Sequence, residues 1–259
     1  MVKFFKALFV AIVVLLGSSL LMMPLFFNGM IVTDDMGFPN HKGYKGTPLV
    51  ETNTKGATIL SLNSIMAKTS PEFEEVLQYF KSINTDTVGV IQIPEFGLEY
   101  PVLFAGDNKK YLRTNIYGEP DVQGAIYIDA NYKDSLSPVK LLHGHNMKDG
   151  TMFACLPQML KWETLDTAPG VLYYDDLGLK TFKIISVFSV NAKEESLIVN
   201  CDNTLAELEE LKQNYIDRSW VPCSDIPGGI ELLMLNTCWY GESGTEHFLH
   251  CIVVAVRVE

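Results

Sequence analysis

Arginine is scarce in this chain of 259 residues, which contains three: Arg113, Arg218 and Arg257. Basic residues as a whole are outnumbered, with 20 lysines and arginines against 31 acidic residues and a formal net charge of −11. A protein that binds nucleic acid needs a basic face to neutralise phosphates. The charge balance therefore argues against nucleic acid as a partner.

The sequence also lacks the spacings of a metal site. It has no C-x-x-C pair, and no histidine and cysteine cluster stands at the distances of zinc ligands. Because the number of cysteines is odd, at least one thiol stays free if the others pair internally. A disulfide between Cys201 and Cys223 is left open by the spacing. Internal repeats and low-complexity tracts are absent as well.

What the chain does have is an uncharged, apolar run over residues 7–27. A helix rises about 1.5 Å per residue, so about 20 residues cross a hydrocarbon core. A cleaved signal peptide has a shorter apolar core and a small-x-small site, and no convincing site follows this run. We favour an uncleaved single-pass anchor over a cleaved signal. Residues 1–6, with Lys3 and Lys6, are then cytoplasmic, residues 7–27 span the cell membrane, and residues 28–259 lie outside the cytoplasm.

Beyond the anchor, residues 28–69 are polar and are predicted to form a juxtamembrane stalk with a short helix around residues 59–68. A firmer helix begins at Ser70, which can cap it, and Pro71 suits its first turn. Phe73, Leu77 and their neighbours at helical spacing give that helix one apolar face. The stalk is thus expected to end where a folded domain, residues 70–259, begins.

Within this domain the sequence changes after Asn84 to short β-rich runs separated by turns. Strands are predicted in and around residues 88–104, 124–130, 138–145, 171–176, 180–190, 230–238 and 248–258. Helices are predicted over residues 151–160 and 204–215. Many short strands with few helices indicate a mostly β barrel or sandwich that carries helical decorations.

Two strand ends carry residues that could perform chemistry. His145 lies in the loop after the strand LLHGH, and Cys238 closes the strand LLMLNTC. A cysteine with a distant histidine is a candidate nucleophile and acid–base pair, because a neighbouring imidazolium lowers the pKa of a thiol. On spacing alone, a core cysteine and a surface histidine explain the same residues equally well.

The motifs around these residues change that balance. In chain order they are N-T-D-T-V-G-V-I-Q-I-P, D-N-K-K-Y-L, G-A-I-Y-I-D, H-G-H-N-M-K-D-G-T-M-F and L-N-T-C. From Glu72 to the C-terminus the chain closely resembles the class B sortases. The resemblance implies an eight-stranded β-barrel with N-terminal helices and an extra helix before the cysteine strand, at Thr204–Arg218, preceded by one transmembrane helix.

The resemblance also implies an activity, that of a membrane-anchored cysteine transpeptidase on a Gram-positive-type cell surface. Such an enzyme cleaves an LPxTG- or NPxTG-like sorting signal of a surface protein or pilin between Thr and Gly. It then joins the Thr to an amine of cell-wall precursor or to a pilin lysine. No metal or organic cofactor is implied, and a hydrolase that releases the peptide to water is a further possibility.

Carried over by position, Cys238 matches the nucleophile of the family and His145 its catalytic histidine. Thr237 matches the residue before the nucleophile, which helps to line the substrate site. His143 stands where the family often has an aromatic residue, and we place it, with Trp239, among the residues expected to support substrate binding.

The resemblance fails at the third member of the site, an arginine on the last strand. Aligned on Ala255, the sequence places His250 at that position, while Arg257 lies seven residues on and should face the other side of the strand. Our hypothesis is that His250 replaces the arginine as a donor that is partly charged near neutral pH. The alternatives are that Arg218 reaches the site from the preceding loop, or that the chain is a weakly active or non-catalytic sortase-fold binding module.

Overall fold

The computed structural model of the chain describes residues 70–132, 137–193 and 204–258. The predicted cytoplasmic N-terminus, transmembrane anchor and stalk, residues 1–69, lie outside the described residues, as does Cys201. Among the residues that are described, no helix has the length and apolar character needed to cross a membrane.

The first helix, α1, spans Ser70–Ile83. Its apolar face follows the predicted spacing, with Leu77 buried against Val90 and Tyr174. The ring of Phe73 stacks on that of Tyr174 with 5.7 Å between their centroids. The helix is therefore fixed to the domain by the side chains whose spacing predicted it.

Eight strands follow α1, in most cases within the runs predicted from the sequence. Their bounds are β1 Thr87–Ile93, β2 Leu98–Leu103, β3 Ile126–Ile128, β4 Val139–His143, β5 Gly170–Asp175, β6 Gly178–Asn191, β7 Leu232–Trp239 and β8 Leu249–Arg257. The strands form a closed barrel in the order β1-β2-β3-β4-β7-β8-β6-β5. The predicted mostly β, eight-stranded barrel is thus confirmed.

Two neighbouring pairs in the barrel are parallel, β2 with β3 and β4 with β7. All other pairs are antiparallel, including β7 with β8. Because β4 and β7 are parallel, their C-terminal ends lie at the same rim of the barrel. The antiparallel β8 starts at this rim, so the ends of β4 and β7 and the start of β8 meet there.

The core is densest around β7 and β8, where residues Leu232–Leu235 and Cys251–Val256 are all buried. Strands that alternate in exposure have one solvated face, whereas a strand buried at every position is covered on both faces. Here the 3₁₀ turn Leu156–Lys161 contacts β6, β7 and β8. The strand that carries Cys238 is therefore a rigid support for its C-terminal end.

A second helix, α2, spans Leu205–Asp217 before the cysteine strand, within the extra helix expected over Thr204–Arg218. Thr204 and Glu207 form a reciprocal capping box at its start, which satisfies two backbone N–H groups. The ring of Tyr215 stacks on Phe188 of β6 with centroids 5.8 Å apart. This contact fixes the end of α2 beside the rim at which β7 ends.

The helix predicted over residues 151–160 is wrong for its first half. The structure has a 3₁₀ turn, which begins at Leu156, and the preceding residues turn back toward the histidine loop. Phe153 N donates to His145 O at 2.9 Å, and Met152 has a φ of 57°. A backbone committed to these contacts is incompatible with an α-helix, and it holds the histidine loop in place.

Candidate active site

The thiol and the histidine that the sequence singled out lie at one rim of the barrel. In the parallel pair of β4 and β7, His143 is opposite Asn236. Cys238 follows Asn236 by two residues on β7, and the loop that carries His145 follows His143 directly. The topology therefore brings together two segments that are almost a hundred residues apart in sequence.

Two hydrogen bonds fasten this histidine loop to the cysteine strand. Asn146 Nδ2 donates to the carbonyl oxygen of Cys238 at 2.9 Å, and Gly144 N donates to the carbonyl oxygen of Asn236 at 3.1 Å. Gly144 permits the close approach, because a Cβ there would lie 2.4 Å from Ile126 Cδ1. The loop thus has little freedom to move relative to Cys238.

Cys238 lies half-buried near the end of β7. Burial raises the pKa of its thiol, and the positive charge of Arg113 offsets part of this effect. The resting thiol is therefore protonated near neutral pH, and a nearby base is needed to generate the nucleophilic thiolate.

The imidazole of His145 is oriented by the backbone of the segment that precedes β3. Its Nε2 lies 2.9 Å from the carbonyl oxygen of Leu112. A carbonyl accepts hydrogen bonds and does not donate them, so Nε2 carries a proton in this arrangement. The remaining nitrogen, Nδ1, is the one that can exchange a proton with a reacting group.

His250 lies directly opposite Cys238 in the antiparallel pair of β7 and β8. Side chains at directly opposite positions project from the same face of a sheet, with their Cβ atoms about 4.5–5.5 Å apart. His250 Nδ1 lies 2.8 Å from Asn236 Oδ1. Burial lowers the pKa of His250, and the charge of a protonated His143 acts in the same direction.

Thr237 and Trp239 alternate with Cys238 along β7 and so face the other side of the strand. Thr237 is buried opposite Cys251, and its hydroxyl has no hydrogen-bond partner among the described residues. Trp239 makes an edge-on contact with Trp220 at 5.4 Å between ring centroids. The structure thus does not place either side chain on the face that carries Cys238 and His250.

The structure places the three arginines in three different environments. The Arg218 guanidinium lies over the ring of Phe188 at 4.4 Å, just after the end of α2. Arg257 donates to Glu231 Oε2 at 2.8 Å, at the end of β8 away from His250. Arg113 is the arginine whose charge acts on the Cys238 thiol.

Comparison with known proteins bears on the family and the fold of the chain. No family model matches the chain. The sortase B of Listeria monocytogenes is 29% identical over 189 residues, a stretch that covers 71% of this chain and 73% of the relative. The solved sortase B of Clostridium perfringens has a TM-score of 0.63 at 26% identity, with 70% of this chain and 99% of that chain covered. The chain belongs to the class B sortases.

A third comparison supports the fold alone. A Staphylococcus aureus sortase B–substrate complex superposes with a TM-score of 0.62 at 24% identity, covering 76% of this chain and 90% of that chain. This match supports the eight-stranded closed barrel. The two relatives above identify the chain as a sortase-type cysteine transpeptidase.

Four further residues of this sortase enter the site without having been singled out in the sequence: Asp129, Asn146, Asn236 and Arg113. Asn236 had a usable signal, because it precedes Cys238 by two residues in a strand and must share its face. Asn146 is the neighbour of His145 in the same motif. Nothing in the sequence indicated that Asp129 and Arg113 would belong to the same site as the histidine loop, β7 and β8.

Proposed function

We propose that Cys238 is the nucleophile of this sortase and His145 its acid–base residue. The observation that supports the assignment is the hydrogen bond from Asn146 to the Cys238 carbonyl, at 2.9 Å, which ties the histidine loop to the end of the cysteine strand. A thiol at a strand end with an oriented imidazole beside it has the parts that acyl transfer to sulfur requires.

The substrate that we propose is an LPxTG- or NPxTG-like sorting signal, cleaved between Thr and Gly. The Cys238 thiolate attacks the Thr carbonyl carbon, so that a C–S bond forms and the carbonyl π electrons move to oxygen. Collapse of this intermediate breaks the C–N bond, and His145 gives a proton to the departing Gly nitrogen. The acyl group is then held as a thioester on Cys238.

In the second half of the reaction, an amine of cell-wall precursor or a pilin lysine attacks the thioester. His145 accepts a proton from the attacking nitrogen, and the C–S bond breaks to release the thiolate. Peptide recognition is supported by the barrel likeness to a staphylococcal sortase B that was solved as a substrate complex. Whether the product is an anchored surface protein or a pilus depends on the acceptor.

The oxyanion that forms on the Thr carbonyl needs donors, and the family position for one of them is occupied by His250. Its place opposite Cys238 supports the proposal that an imidazolium here replaces the arginine. The backbone N–H of Trp239, which follows the nucleophile, is the second donor that we propose. One oxyanion donor contributes roughly 10²–10³ in rate, so the substitution has a large effect on turnover.

An aromatic surface beside the rim supports a role in holding the apolar part of the signal. Trp220 and Tyr240 are exposed over 53% and 39% of their surfaces, and Trp239 packs against Trp220. Of the other residues expected to bind substrate, His143 acts through Asn236 and Arg218 through Phe188. The Thr237 side chain is buried on the other face of β7, so only its backbone can take part.

We further propose that the catalytic domain acts outside the cell, held to the membrane by residues 7–27. The support is the uncharged length of that run and the two lysines that precede it. A surface location also brings the domain to the sorting signals and wall amines that it is proposed to join.

The decisive experiment uses quenched LPxTG and NPxTG peptides, with and without an amine acceptor, and follows both cleavage and the acyl-enzyme mass. Wild type is expected to form a thioester and, with the amine, a transpeptidation product. Cys238→Ala should abolish both, whereas Cys223→Ala, a partly exposed thiol away from the rim, should retain both.

Cleavage that survives loss of Cys238 would contradict the assignment. Product released to water at the same rate with and without amine would indicate a hydrolase. If wild type binds the peptides and forms no thioester with any of them, the chain is the sortase-fold binding module that the missing arginine left open.

A further inference from the structure

A chain of three hydrogen bonds runs from the end of β3, across β4 and β7, to His250 on β8. His143 Nε2 lies 2.8 Å from Asp129 Oδ2, and Asn236 Nδ2 lies 2.9 Å from His143 Nδ1. Asn236 Oδ1 in turn lies 2.8 Å from His250 Nδ1. The four side chains belong to four adjacent strands or strand ends, and the chain finishes opposite Cys238.

The direction of each bond follows from its first member, the Asp129 carboxylate. Burial alone would raise the pKa of Asp129, but the hydrogen bonds from His143 and Asn131 outweigh it and lower the pKa to about 2. Asp129 is therefore ionised near neutral pH and can only accept, so His143 donates from Nε2.

A neutral His143 that donates from Nε2 presents a bare Nδ1, which accepts from the amide N–H of Asn236. The amide oxygen of Asn236 is then turned toward β8. Since this oxygen can only accept, His250 must donate to it from Nδ1. The neutral form of His250 therefore carries its proton on Nδ1, and its Nε2 holds a lone pair.

This tautomer changes what His250 can do beside Cys238. An arginine is always charged and is always a donor. A neutral imidazole whose proton is held on Nδ1 is a base at Nε2, and it becomes a donor there only after it has taken a proton. The nearest thiol on its own face is Cys238, directly opposite.

We propose that His250 is the base that removes the thiol proton of Cys238, and that the imidazolium so formed is the donor to the oxyanion. Asn236, His143 and Asp129 are positioning residues that set the tautomer and orientation of His250. The proposal rests on the proposed function in one respect, namely that Cys238 is the nucleophile. It gives the site two histidines with separate roles.

The proton balance is complete with these groups alone. The Sγ–H proton of Cys238 moves to Nε2 of His250, and the sulfur electron pair forms the C–S bond. The imidazolium Nε2–H then faces the oxyanion. His145, which enters the cycle as an imidazolium, gives its Nδ1 proton to the leaving nitrogen and regains a proton from the acceptor amine. When the acceptor amine has attacked and the C–S bond breaks, the thiolate takes back the proton from His250.

The surroundings of His250 favour a neutral resting state. Cys238 faces it from β7, burial lowers the pKa of His250, and His143 reaches it only through Asn236 from β4. On the other side, β6 presents Val190 as its register partner. The cation that acts on the thiol is Arg113, so a thiolate, once formed, is stabilised by the charges of Arg113 and of the His250 imidazolium.

The first test is the pH dependence of alkylation of Cys238 in the full chain, read by mass spectrometry on the peptide that contains this residue. Alkylation needs a thiolate and no leaving-group acid. His250→Gln should slow alkylation at pH 7 by about tenfold or more, because the paired imidazolium is lost. His145→Gln should leave the alkylation rate within about threefold of wild type while abolishing peptide cleavage.

The second test reads the tautomer directly by ¹⁵N NMR of histidine-labelled full chain, with the His250 signals assigned by their loss in His250→Gln. The proposal requires neutral His250 to be protonated on Nδ1, and Asn236→Ala to remove this preference. A merely structural role for Asn236 would not change the tautomer.

Neutral His250 protonated on Nε2 would overturn the proposal. So would an alkylation rate that falls in His145→Gln and not in His250→Gln. These failures differ from failure of the proposed function, which would show as peptide cleavage by Cys238→Ala.

Discussion

Cys238 and His250 are directly paired across the antiparallel strands β7 and β8, so the proposed nucleophile faces an imidazole where the resemblance to the family implies a guanidinium. Both side chains share a face with Asn236, which accepts from His250 at 2.8 Å. A cysteine, a histidine and an asparagine form the catalytic set of papain-like proteases, on an unrelated fold. Here two neighbouring strands supply all three.

The arginine of the family can be put back, and the structure predicts the effect. A guanidinium opposite Cys238 is charged at all pH values, so it should lower the pKa of the thiol. We expect His250→Arg to alkylate at Cys238 faster than wild type below neutral pH, and to remain active with sorting-signal peptide. His250→Gln is the control, and a His250→Arg variant no more reactive than this control would contradict the prediction.

Arg113 should contribute to the reactivity of the thiol, because burial raises the pKa of Cys238 and the charge of Arg113 offsets part of that rise. Arg113→Gln is expected to move the alkylation profile of Cys238 to higher pH and so to slow alkylation at pH 7. Arg218→Gln is the matched control, since the Arg218 guanidinium lies over the ring of Phe188. A larger effect from Arg218 than from Arg113 would revive the alternative in which Arg218 reaches the site.

Asn146 is predicted to act on turnover through the position of His145. Asn146→Ala removes the 2.9 Å hydrogen bond to the Cys238 carbonyl. A hydrogen bond contributes about 0.5–1.5 kcal/mol, which corresponds to a loss of up to roughly tenfold in kcat/KM. Gln213→Ala removes an exposed amide on α2 and should have no effect. Equal kcat/KM for Asn146→Ala and wild type would show that this hydrogen bond is not needed to position His145.

The barrel and the two segments that carry Cys238 and His145 were predictable, because strand ends and motifs are local in sequence. The hydrogen-bonded chain to His250 was not. It depends on the register of β4 against β7, which pairs His143 with Asn236, and a parallel pairing between such distant segments leaves no periodic signal.

The segment after His145 shows that tertiary contacts can also override a structure that the local sequence predicts. Residues 151–160 have helical composition, and the sequence predicted a helix. The backbone instead returns to bond with the histidine loop, Phe153 N to His145 O, before the 3₁₀ turn begins. A tertiary hydrogen bond here outweighs a local propensity that is itself worth less than about 1 kcal/mol per residue.

Gly144, between the two histidines, should be among the least tolerant positions of the rim. A Cβ there would lie 2.4 Å from Ile126 Cδ1 and 2.6 Å from Phe153 Cδ2, both in the buried core. Gly144→Ala must push these side chains or the histidine loop aside. We expect displacement of the core side chains, which are tightly packed, to cost about 1–3 kcal/mol of folding free energy. At roughly 2–4 °C per kcal/mol for a chain of this size, the Tm should fall by several degrees.

The matched control for Gly144 is Gly228→Ala, where no heavy atom lies within 4 Å of the added Cβ. It should leave both the Tm and peptide cleavage unchanged. If the loop moves rather than the core, Gly144→Ala will displace His145 from Cys238 and lose kcat with little change in Tm. If the core moves, Tm will fall and alkylation of Cys238 will be retained. An unchanged Tm together with unchanged kcat would show that the loop is not held as tightly as its hydrogen bonds indicate.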